Sequence, residues 1–168
     1  MNVSIHPAVF RRPSLELRPL LVGGLAIATV DFLFCLAFWT PMGVGAARLL
    51  QSVAAGLLGR AAFAGGAGTA MLGACLMVLI GVGFALAYAL VARHVPDLRR
   101  HARALGPVYG LLLHVLMMEI VVPLSAAPTP VHTPLAWTLA SLPMFFVFGT
   151  LASVAGACAV GARLRAPR

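Results

Sequence analysis

Lysine is absent from this 168-residue chain, and acidic residues are nearly so: Glu16, Asp31, Asp97 and Glu119 are the only four. Charged residues make up 10% of the sequence and apolar ones 61%, against roughly 25% and 45–50% in soluble domains. So little charge cannot cover a water-facing surface, and the composition predicts a membrane protein. Cysteine is equally sparse. Cys35, Cys75 and Cys158 all lie inside apolar runs, with no CxxC and no Cys/His metal spacing, so packing thiols are expected and a metal or redox centre is not. No serine nucleophile with a base, no pair of carboxylates on one helical face and no phosphate-cradling loop is present, and the many glycines lack a strand–turn–helix setting. The expectation is a non-enzyme without a cofactor.

What the chain does have is arginine, twelve of them, for a net charge of +8. They flank apolar runs instead of forming a stripe with interleaved aromatics, which predicts membrane anchoring and no nucleic-acid partner. Four apolar runs, at about 20–39, 67–92, 105–124 and 135–160, are long enough to cross the roughly 30 Å hydrocarbon core at about 1.5 Å per helical residue. The predicted fold is all-α: an integral membrane four-helix bundle occupying 20–162, between basic tails at 1–19 and 163–168. The segment at about 44–62 places Arg48, Gln51, Ser52, Gly59 and Arg60 mostly on one helical face. It reads as an additional interfacial amphipathic helix, with a re-entrant loop as the alternative. Arg48 and Arg60 are its candidate interfacial residues.

Counting arginines orients the chain. The N-terminal tail, the loop after the second run and the C-terminal tail carry ten of the twelve, and Arg48 and Arg60 fall on the opposite side. The positive-inside rule then expects both termini in the cytoplasm. Small residues recur every fourth position at Gly81, Ala85 and Ala89 and at Gly149, Ser153, Ala157 and Gly161. These faces allow close helix packing and would permit a homodimer.

Ionisable residues within the runs are the pointers to function, because a carboxylate at mid-membrane costs about 2.5–3.5 kcal/mol on insertion scales. Three form a candidate intramembrane polar cluster: Asp31 in the first run and His114 and Glu119 in the third. Counted from the arginine-rich side, Asp31 lies about 16 Å and His114 about 14 Å deep, with Glu119 about 7 Å further on. Five residues separate His114 from Glu119, about 140° around a helix, so both can border one cavity but cannot face one partner. Such a set could relay protons; it could equally be hydrogen bonding between helices. A haem is not expected, since His114 is the only histidine within any run and the nearby methionines suit packing.

The stretches Arg48–Gly66 (RLLQSVAAGLLGRAAFAGG), Thr69–Ala74 (TAMLGA), Ala85–Arg100 (ALAYALVARHVPDLRR), Tyr109-Gly110 and Met117–Ala126 (MMEIVVPLSA) resemble a group of small four-span bacterial inner-membrane proteins without assigned biochemistry. The likeness covers roughly Asp31 to Ala126. A more distant similarity is to the YagU-like inner-membrane proteins, to which a role in acid resistance is attached. The resemblance implies a membrane component in assembly or stress and supplies no catalytic residues. Relatives in the group often carry Asn at the position of Glu119 and an aromatic at that of His114, whereas Asp31, Arg60 and Val121–Ser125 follow the group pattern. Two functions are therefore expected: a non-enzymatic membrane component or, alternatively, a small proton-linked transporter or channel using Asp31, His114 and Glu119.

Overall fold

A computed structural model describes residues 15–128 and 135–161; most of both basic tails and the stretch 129–134 fall outside the described residues. The described regular structure is entirely helical. Helix α1 (Leu17–Trp39) ends in a 3₁₀ turn (Thr40–Met42), and α2 (Ala46–Leu58) continues into a second one (Gly59–Ala64). Then come α3 (Gly66–Ala92), the short α4 (Pro96–Arg100), α5 (Ala102–Val115), a π-helical segment (Leu116–Val121), α6 (Val122–Leu124) and α7 (Leu135–Gly161). Four helical stretches are long and apolar enough to span a membrane: Leu17–Met42, Gly66–Ala92, Ala102–Leu124 and Leu135–Val160. This is the all-α four-helix bundle of a multi-pass membrane protein. Its outer face carries large apolar side chains such as Leu25, Leu79, Leu112 and Leu139, as lipid contact requires.

In lipid, helices gain little from hiding apolar surface, so close backbone approach holds the bundle together. Gly24 on α1 meets Gly81 on α3 so tightly that a Cβ on Gly81 would run into the Gly24 carbonyl. Gly149 on α7 abuts Gly106 and Gly110 on α5 in the same way. Ala85 and Ala89 are buried together with Leu20, Ala155 and Ala159 where α1, α3 and α7 meet. Ser153 is fully buried, and its hydroxyl donates to the Ala102 carbonyl at 2.8 Å. Gly81, Ala85 and Ala89 of the second span and Gly149 and Ser153 of the fourth are thus buried against neighbouring helices of the same chain.

Helix α7 is the hub, packing on α5, α3 and α1, while α5 packs on α7 far more than on α3. The Tyr109 hydroxyl bridges the resulting gap by donating to the Phe84 carbonyl at 2.8 Å. The third span also departs from regular α geometry. Pro123 has no N–H and its ring would clash with the carbonyl four residues back, at Glu119. The backbone widens there, and the Val122 N–H bonds the Met117 carbonyl, five residues back.

Helix α2 lies against the start of α3, with the Leu50 carbonyl over Gly73. Gln51, grouped with the polar face on sequence, is instead buried. Its amide donates to the Gly66 carbonyl at 3.0 Å, while the Thr69 hydroxyl donates to Ala62 at 2.7 Å. A long amide can satisfy a carbonyl at the α2–α3 contact, which helical periodicity alone does not anticipate. Gly59 closes α2 with φ +59°, a conformation that suits glycine.

Candidate functional site

Above the Gly24–Gly81 crossing, α1, α2 and α3 enclose a cavity of about 340 Å³, with Asp31, Cys35, Arg48 and Ser52 as its polar lining. A second cavity of about 310 Å³ adjoins it between α1, α3, the π segment and α7. Its walls are mostly apolar, including Ile27, Ile80, Phe84, Met117 and Phe145. Asp31 borders both, together with Cys35, Ser52, Val53, Met77 and Trp137. Ser125 and Ala127 close the second cavity beside α2, held there by the Ala126 N–H, which donates to the Gly56 carbonyl at 2.9 Å.

Asp31 is half-buried, and the hydrogen bond to its carboxylate among the described residues comes from the Cys35 thiol at 3.7 Å. A thiol is a weak donor, so the carboxylate is poorly compensated by the protein. Arg48 borders the same cavity without bonding Asp31; its exposed guanidinium lies 4.2 Å from the centre of the Phe63 ring. Aromatic rings form the lip. Trp137 at the start of α7 sits 5.3 Å from Trp39, 5.1 Å from Phe38 and 5.6 Å from Phe34 at the end of α1.

The other candidates lie elsewhere. His114 is half-buried with its ring 4.9 Å from Phe145 in an edge-on contact, its Nδ1 is buried with no partner among the described residues, and it borders neither cavity. The third span presents Met117 and Met118 to the second of the two cavities instead. Glu119 is exposed on the widened turn, and Arg60 is exposed in the 3₁₀ turn after α2. Among the described residues no three or more His, Cys, Asp or Glu side chains gather as a metal site would require.

Sequence reasoning found Asp31 and Arg48 but did not join them, and it missed Trp137 and Ser52 as lining. A signal existed for Trp137. The chain's two tryptophans stand at the ends of the first and fourth spans that the arginine count puts on the same side. Chemically, the arrangement offers one intramembrane carboxylate, one guanidinium at the rim, an aromatic lip and an apolar annex. No protein-family model, curated protein or solved structure matches the chain.

Proposed function

We propose that this multi-pass protein resides in a bacterial inner membrane with both termini cytoplasmic, catalyses no reaction, and works as a small proton-linked transporter whose exchangeable proton is carried by Asp31. The observation behind this reading is the position of Asp31 on the shared wall of two cavities with, among the described residues, only a thiol as hydrogen-bond partner. An intramembrane carboxylate left that way requires a proton or a cation to neutralise it, and exchange between the two couples solute to proton. The ten-to-two division of arginines supports this orientation, in which α2, with Arg48 and Arg60, lies on the periplasmic side.

Reconstitution into liposomes carrying a pH-sensitive dye tests the proposal. Solute addition should drive a proton flux that Asp31→Asn abolishes, whereas His114→Phe and Glu119→Asn should retain it, since neither residue borders the cavities. A wild-type protein that moves no protons for any solute class under imposed gradients would sink it.

A further inference from the structure

The two cavities differ in chemistry, and their order along the chamber selects a ligand. Arg48 borders only the first, apolar side chains dominate the second, and Asp31 stands where they adjoin. Passing from the apolar annex to the rim, a ligand therefore meets hydrocarbon, then a carboxylate, then a guanidinium. The two charges do not neutralise one another: among the described residues Asp31 accepts only from Cys35, and Arg48 rests on the ring of Phe63. Trp39 and Trp137 border the carboxylate-bearing cavity, and indole faces attract ammonium groups.

We propose that the chamber binds a single-tailed zwitterion in which the ammonium lies between the apolar tail and the anion, the order of an alkyl betaine. The tail occupies the annex against Ile80, Phe84 and Met117; the ammonium meets Asp31 beside the tryptophans; the terminal anion meets Arg48. This assignment rests on Asp31 as the proton-exchanging group, because the ammonium can be held only by the ionised carboxylate. The groups around Asp31 that carry or lose charge are few. Cys35 contributes from α1 and Arg48 from α2, while α3, the third span and α7 line the two cavities with uncharged side chains only. Amphiphiles with the reverse order, tail then anion then ammonium, would set phosphate against Asp31 and ammonium against Arg48. Like charges would then meet at both positions, and such ligands are rejected.

The chain carries its own reporters, since its only two tryptophans, Trp39 and Trp137, both border the first cavity. The full-length protein in maltoside micelles is titrated with three dodecyl probes below their micelle concentrations: a sulfobetaine, a phosphocholine and a trimethylammonium. Tryptophan emission should saturate with the sulfobetaine at a concentration at least about tenfold below that needed for either other probe. Asp31→Asn should weaken sulfobetaine binding by at least about tenfold, and Arg48→Gln should erase its advantage over the trimethylammonium probe. Because Arg48 is exposed and its guanidinium meets only the Phe63 ring among the described residues, that arm stands even if Asp31→Asn fails to fold. Equal binding of the phosphocholine overturns the assignment, as does trimethylammonium binding that matches the sulfobetaine and ignores Arg48. Either result leaves proton-linked transport to be decided by the flux measurement, which reads protons and not this ligand order.

Discussion

The Cys35 thiol lies 3.7 Å from a carboxylate oxygen of Asp31, one helical turn further along α1, and it is the only side chain among the described residues that bonds that carboxylate. A residue placed so is retained at a cost to stability, as functional groups often are. Asp31→Asn should therefore raise the unfolding free energy at pH 8 by about 1–3 kcal/mol, read by denaturant titration in mixed micelles. Cys35→Ala should lower it by less than about 1 kcal/mol, since the thiol donates weakly. A loss on Asp31→Asn as large as the expected gain would make the carboxylate a structural tie.

The Gly24–Gly81 crossing sets how far α1 stands from α3 below the chamber. A Cβ at Gly81 would overlap the Gly24 carbonyl and Cα, so the backbones must part. Gly81→Val should cost about 1–3 kcal/mol or more and lower the thermal midpoint in detergent. Gly83, with nothing near its missing Cβ, is the control: Gly83→Ala should be neutral or mildly stabilising.

Gln51 fastens α2 to the beginning of α3 through its 3.0 Å bond to the Gly66 carbonyl. Gln51→Leu keeps the bulk but removes one of two side-chain donors at that carbonyl, leaving the Thr69 hydroxyl at 3.2 Å, and should cost about 0.5–1.5 kcal/mol. Hydrogen exchange would show the effect as faster exchange confined to α2, with α7 unchanged. Uniform loosening of the whole chain would mean that the bond supports more than the α2–α3 contact.

Pro123 explains the widened turn that points Met117 and Met118 at the chamber. Pro123→Ala restores the N–H that can bond the Glu119 carbonyl, and regular α geometry should return. With Met118→Cys in a background of Cys35→Ala, Cys75→Ala and Cys158→Ala, a small thiol reagent should label the chamber position readily. Adding Pro123→Ala should slow that labelling several-fold, because the turn rotates away. Unchanged labelling would show that another element imposes the π geometry.

Composition and periodicity alone determined that this is an all-helical membrane protein with four long apolar helices, because each depends only on a run of residues and its length. Asp31 was legible for the same reason: a carboxylate in an apolar run stands out whatever its neighbours are. Its neighbours were not legible. Depth counting set His114 beside it, but depth says nothing about which way a side chain faces. Tertiary packing turned His114 onto Phe145 and brought Arg48, distant in the predicted topology, to the rim of the same cavity. The buried Gln51 and the bent third span were hidden likewise, because each reflects a neighbour: the first turn of α3 in one case and the ring of Pro123 in the other. A one-dimensional pattern can place a charge in the membrane. Only the crossing of helices at glycines, with a second helix laid across the opening above, decides what that charge faces.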